Sequence, residues 1–167
     1  MTKRNHFIYI NLKKKEYQVL SYEIITDPDG FKGSLSKDGY IDFLFEHLEE
    51  YGDKREDIAR AVGYAFSKER GKGGFVLAAW ENSSLVGGVV INDSGMSGYI
   101  PDHILVYIVV HKEFRGRGFG AEILKKAIEE CKGNIALHVE YDNKPAINLY
   151  KKVGFKSKYA EMRYEKE

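Results

Sequence analysis

Arg115, Gly116, Arg117, Gly118 and Gly120 fall within one short run, HKEFRGRGFGAEIL, between a β-branched apolar stretch and a segment of helical periodicity. Glycines leave backbone N–H groups clear of Cβ atoms, and the first turn of a helix adds unpaired N–H groups and a favourable dipole. Such a run can cradle a phosphate. The same dipole repels cations, so two arginines at a helix start are a local conflict that an anionic ligand would resolve. In isolation an RGRG run reads as a flexible loop with solvated arginines; its place between a buried strand and an amphipathic helix favours the cradle.

Spacing limits the choice of phosphate ligand. A dinucleotide fingerprint needs G-x-G-x-x-G, whereas these glycines alternate and no further one follows within the helix. A triphosphate-binding loop needs G-x-x-x-x-G-K-[ST]. Around Gly71 and Lys72, Phe66 stands in the first glycine's place and Gly73 in the hydroxyl's, so that pattern fails. An RNA-binding arginine-glycine segment would be repetitive, and this one is not. Cys131, the single cysteine, falls on the apolar side of a helical pattern and reads as core rather than nucleophile.

The elements that must hold this loop alternate between strand and helix. HFIYINL and EYQVLSYEIIT read as strands, and the helical spacing of Ile41, Leu44, Phe45 and Leu48 predicts a helix from about Lys37 to Tyr51. Asp53 and Glu56 make a capping-box-like start for a second helix running towards Arg70. FVLAAW and LVGGVVI, joined by ENSS, predict an antiparallel hairpin. Ile104 to Val110, ILVYIVV, is a continuous apolar run, the pattern of a central strand buried on both faces. Ile123, Leu124, Ala127, Ile128 and Cys131 line the helix after the glycines, with Gly133 as its stop. Ile135 to Glu140 predicts a strand; Pro145 opens a helix faced by Ala146, Leu149, Tyr150 and Val153; a last strand over Phe155 to Tyr164 completes a mixed α/β domain.

Composition sets the outer bounds. A chain of 167 residues suits one domain, and a formal net charge of +1 argues against a protein that coats nucleic acid. No apolar run approaches the ~20 residues that span a bilayer, and the N-terminal apolar stretch is too short for a signal peptide. With one cysteine and no intramolecular disulfide, a cytoplasmic location is expected.

Arg115, Gly118 and Gly120, after a β-branched strand and at the opening of a helix, resemble the R-x-x-G-x-G/A signature of the GNAT superfamily of acyl-CoA N-acyltransferases. Downstream, Asn143, Ala146, Leu149, Tyr150, Gly154 and Phe155 resemble that superfamily's second signature. Together the two motifs cover about Ile104 to Phe155; the N-terminal part matches only in element order. The resemblance implies one N-acetyltransferase domain over residues 1–167, its mixed, mostly antiparallel sheet flanked by helices and its splayed strands forming the acyl-CoA slot.

The resemblance also implies roles. The loop from Arg115 through Gly116, Arg117, Gly118 and Phe119 to Gly120 would take the pyrophosphate of acetyl-CoA, the arginines adding charge-assisted bonds. Ile108, Val109 and Val110 would pair with the pantetheine arm, with Asn143 and Tyr150 also at the cofactor. An amine would attack the thioester directly, with Tyr150 as acid or thiolate stabiliser and no metal. For the general base, His138 and Glu140 share one face of a strand, and histidine as a side-chain type keeps base chemistry possible near neutral pH. Glu81, Tyr107 and His103 flank the expected slot. The acceptor, a small amine or a peptide N-terminus, would lie against 31–64 and 96–103, where Tyr40, Phe43, Phe45, Tyr51, Tyr64 and Tyr99 occur beside Asp42, Glu46 and Glu49. The alternatives are a non-catalytic acyl-CoA sensor and a basic nucleic-acid module; neither nucleic acid nor membrane is the expected partner, and a homodimer stays open.

Overall fold

A computed structural model describes residues 19–166. Within them the chain runs β1 (Ser21–Ile25), α1 (Lys37–Leu48), α2 (Arg55–Ala65), β2 (Gly74–Glu81), β3 (Ser84–Asp93), β4 (His103–Val110), α3 (Phe119–Glu130), β5 (Ile135–Leu137) and α4 (Lys144–Val153). The strands lie side by side in chain order, antiparallel from β1 to β4, and β5 joins β4 in parallel. A parallel neighbour needs a crossover, which α3 supplies. This is the mixed, mostly antiparallel sheet that the family resemblance implies.

Alternate strand residues face opposite layers. On one side Leu77, Val89 and Ile91 pack with Ile123, Leu124 and Ala127 of α3 and Tyr150 of α4. On the other, Val76, Ala78 and Val90 pack with Tyr40, Ile41 and Leu44 of α1 and Ile58 and Val62 of α2. Gly87 and Gly88 let both layers close: a Cβ at Gly87 would meet Ile123 Cδ1 at 2.4 Å, and one at Gly88 would meet Tyr40 Oη at 2.8 Å. That Tyr40 hydroxyl spans the carbonyls of Leu77 and Val89, each at 2.9 Å.

β4 carries a bulge. Val90 pairs with Tyr107 and Ile91 with Leu105, which leaves Val106 as an extra residue. An extra residue reverses the alternation. Leu105 therefore faces the α3 layer, while Tyr107 and Val109 face α1 and α2.

Several expectations need correction. The run Ile104 to Val110 is not buried on both faces: Leu105, Tyr107 and Val109 are buried and their neighbours only half-buried, because β5 pairs with β4 at His103, Ile104 and Leu105 alone. β5 ends at Leu137, short of Glu140, and α3 ends at Glu130, before Gly133. The α-helix from Lys37 stops at Leu48 and continues as a 3-10 turn, Glu49–Tyr51. Asp53 caps nothing; Lys54 precedes α2 without a side-chain cap. Phe155 to Tyr164 joins no sheet. A strand needs a partner edge, and the three residues of β5 offer few rungs, so Tyr159, Met162 and Tyr164 stand exposed. HFIYINL lies outside the described residues.

Candidate active site

The glycine loop is a preformed backbone concavity. His111 opens a 3-10 turn, Lys112–Phe114, its Nδ1 accepting from Glu113 N–H at 3.2 Å. Gly116 and Gly118 then adopt φ of 77° and 91°, a region that disfavours side chains, with no heavy atom within 4 Å of where either Cβ would stand. Gly118 starts α3 without a side-chain cap. Among the described residues, the N–H groups of Gly116, Gly118, Phe119 and Gly120 donate to no backbone acceptor. Open space over unpaired N–H groups at a helix start fits a phosphate. Arg115 departs from the expected cradle, its N–H already donating to Lys112 O at 3.4 Å. Gly120 keeps an unpaired N–H, while a Cβ there would stand in ordinary contact with Leu149 Cδ2 at 3.4 Å and Val110 Cγ2 at 3.6 Å.

The arginines are bound to the protein itself. Arg115 donates to Val110 O at 3.1 Å, to Glu49 Oε2 at 2.7 Å and to the carbonyl of His47 at 2.5 Å. It thereby ties the loop to the C-terminal end of α1, where a cation is favoured. Glu49 meets it from a left-handed backbone, φ 54°, and the guanidinium holds the Glu49 carboxyl below its ordinary range. Arg117 pairs with Glu81 at 2.5 Å and lies over the rings of Phe114 and Phe119. The cationic conflict at the helix start is met in part by the chain's own carboxylates.

Beside the loop, β4 presents a bare edge. β5 leaves after the Leu105–Leu137 pair, and from there to Val110 that side of β4 has no strand partner among the described residues. His111 N–H points to Val86 O on β3 at 2.9 Å, so by alternation Val109 also turns its backbone to β3, while Ile108 and Val110 turn theirs to the bare edge. Val109 thus leaves the expected set. The Val110 carbonyl is taken by Arg115, leaving both groups of Ile108 and the Val110 N–H to serve an added chain.

The second signature is largely helix punctuation. Asn143 caps α4, its Oδ1 accepting from Ala146 N–H at 3.1 Å, which is why those residues are three apart. Gly154, φ 119°, ends the helix with N–H bonds to the carbonyls of Tyr150 and Lys151, and Phe155 N–H returns to Tyr150 O at 2.9 Å. Phe155 then packs on Tyr150 at 5.8 Å between ring centroids. These contacts fix Tyr150, which is 8% exposed. Its hydroxyl donates to no described residue, and burial pushes its pKa up to about 12.

His138 and Glu140 do not gather around Tyr150. The His138 side chain is 68% exposed and faces Glu161 at 3.7 Å; Glu140 is also exposed. The fold loses the shared strand face because β5 ends before either residue. Glu81 is taken by Arg117, and His103 by Asp93 at 2.8 Å and Lys132 O at 3.3 Å. Of the acceptor-side aromatics, Tyr40 is core, Tyr64 bonds the carbonyls of Gly71 and Asp93, and Phe45 and Tyr99 are exposed. Cys131 is half-buried against the α3-side core, not within it, and burial pushes its thiol up to about 11.

Sequence reading misses Asp53. It sits between α1 and α2 and accepts a hydrogen bond from the Tyr107 hydroxyl at 2.6 Å across 54 positions of sequence. No local pattern joins the two.

Residues 37–155 match the model of the Acetyltransferase (GNAT) family. An uncharacterized N-acetyltransferase of Methanocaldococcus jannaschii is 30% identical over 137 residues, 75% of this chain and 60% of that protein. An N-alpha-acetyltransferase of Sulfurisphaera tokodaii is 29% identical over 156 residues, 86% of this chain and 83% of its own length. The chain thus spans about three-fifths of the first relative and most of the second. An integron cassette protein of V. cholerae shares the fold, with a TM-score of 0.60 and 20% identity over 89% of this chain and 92% of that one.

Proposed function

The chain belongs to the acetyltransferase (GNAT) family, and from that premise we propose an acetyl-CoA-dependent N-acetyltransferase acting on a primary amine. The observation that carries this reading is the bare β4 edge, which runs straight into a loop of unpaired N–H groups. Gly116, Gly118, Phe119 and Gly120 would hold the pyrophosphate through their N–H groups, and Ile108 and Val110 the pantetheine amides. The family match from 37 to 155 supports one such domain. The thioester supplies an activated acyl carbon.

An alkylammonium with pKa ~10.4 must lose a proton before its nitrogen attacks. The N–C bond then forms, the nitrogen gives its second proton to water, the C–S bond breaks, and the electron pair leaves on sulfur. Tyr150, with its pKa near 12, keeps its proton at neutral pH. Because a thiol ionises near ~8.5, Tyr150 stabilises the departing thiolate by donating a hydrogen bond rather than by giving up the proton. A peptide N-terminus is one acceptor to test, since one relative is named an N-alpha-acetyltransferase.

Calorimetric titration with acetyl-CoA, followed by thiol release in the presence of spermidine, sisomicin and a peptide with a free N-terminus, tests this reading. Saturable binding with amine-dependent thiol release is expected. Binding without release from any amine would favour the non-catalytic sensor; absence of binding would overturn both.

A further inference from the structure

Tyr107 stands where β4 changes partners. Leu105 is the last β4 residue paired to β5, Val106 is the bulge, and Tyr107 follows. Without the extra residue, Tyr107 would share the face of Leu105 in the α3 layer. With it, the ring turns to the α1 and α2 side and its hydroxyl reaches Asp53.

A phenol has one proton to donate and lone pairs to accept with. Here the proton is committed to Asp53 Oδ2 at 2.6 Å, so the oxygen's lone pairs are left to accept, on a side chain that leaves β4 two residues past its last rung with β5. Tyr107 is 7% exposed, and a hydroxyl so placed has little freedom to turn. Asp53 forgoes the capping role its position before α2 would allow. Around the pair, the charge of Asp57 bears on Tyr107, and that of Asp53 bears on Arg163 of the C-terminal segment.

Resting on the acetyltransferase reading, we infer that Tyr107 Oη accepts a hydrogen bond from the attacking nitrogen of the acceptor, and that Asp53 is a positioning residue acting through it. By holding one N–H of the neutral amine at Tyr107 Oη, the pair turns the nitrogen's lone pair towards the acyl carbon. It makes and breaks no bond of its own.

The test compares Tyr107→Phe, Asp53→Ala and Asp53→Asn with the wild type, using whichever of spermidine, sisomicin or the free-N-terminus peptide turns over. Tyr107→Phe keeps the ring and is expected to lower kcat/KM for the amine about 30-fold while calorimetric binding of acetyl-CoA stays within twofold. Asp53→Ala is expected to lower it about tenfold, and Asp53→Asn, whose amide oxygen still accepts from the phenol, to stay within about threefold. That rescue separates positioning from a merely structural contact. Should Tyr107→Phe fail to fold, the two Asp53 variants carry the comparison. An active wild type with unchanged kcat/KM in Tyr107→Phe or Asp53→Ala, or equal losses in Asp53→Ala and Asp53→Asn, overturns this inference alone. A wild type that turns over none of the three amines overturns the acetyltransferase reading and this inference with it.

Discussion

The two ends of the β4 edge are built differently. At the loop end the groups on offer are backbone amides: Gly116 and Gly118 open space, α3 supplies unpaired N–H groups, and all lie within a few consecutive residues. At the bulge end they are side chains from separate elements: Tyr107 from β4 and Asp53 from the α1–α2 connection. A phosphate is recognised by any correctly curved run of amides, whereas an acceptor must be recognised by groups particular to it. The loop end suits the proposed phosphate-bearing donor; the bulge end suits the proposed acceptor.

The largest effect should come from breaking the backbone end. Gly118→Val forces a β-branched residue to φ 91°, at a strain of about 1–3 kcal/mol, and fills the open concavity. Calorimetry should show acetyl-CoA binding abolished in a protein that still folds, its melting temperature lower by several degrees. Gly120→Val sharpens the contrast, since a Cβ there already touches Leu149 and Val110 and valine's two γ-carbons add bulk beyond it. It should lose stability and binding together, and a fully stable Gly120→Val would contradict the packing role.

Removing one hydroxyl should cost less. Tyr150→Phe keeps the ring against Phe155, so thiol-release assays should show kcat down by about 100-fold with acetyl-CoA affinity within twofold. A matching loss of affinity would move Tyr150 from the reacting atoms to the cofactor's binding surface.

Smaller again is the effect expected of the link between the two ends. Glu49 reaches Arg115 and not the concavity, yet Glu49→Gln should weaken acetyl-CoA binding about threefold by loosening the loop from α1. If Arg115 served the phosphate alone, Glu49→Gln would leave binding unchanged or strengthen it.

The smallest concerns His47, 3% exposed, with its Nδ1 buried and without a hydrogen bond. Burial first, then neighbouring His111, lowers its pKa below the ordinary 6.5. The unfolded chain therefore takes up a proton at His47 at a higher pH than the folded one. Stability from this residue is fully present above about pH 6.5 and is lost as pH falls through the folded pKa. Melting temperatures from pH 7 to 5 should fall less steeply in His47→Phe than in the wild type, because Arg115 holds the backbone carbonyl of residue 47 and not its ring.

The sequence alone was enough for everything set by neighbours along the chain. The alternation of glycines after a β-branched run and the Gly154–Phe155 stop are local geometry, and each recurs in the structure; Asn143, expected only at the cofactor, caps α4. Pairing across the fold was not legible. The arginines look unpartnered along the chain because Glu49 and Glu81 lie 66 and 36 positions away. His138 and Glu140 look like a strand face because nothing local says that β5 stops at Leu137. Asp53 looks like a helix cap because only the bulge at Val106 turns Tyr107 towards it. Dihedral preferences and caps act over a few residues and can be read from them; ion pairs, strand partings and the aim of a side chain past a bulge depend on which distant element packs opposite, and only the tertiary structure decides that.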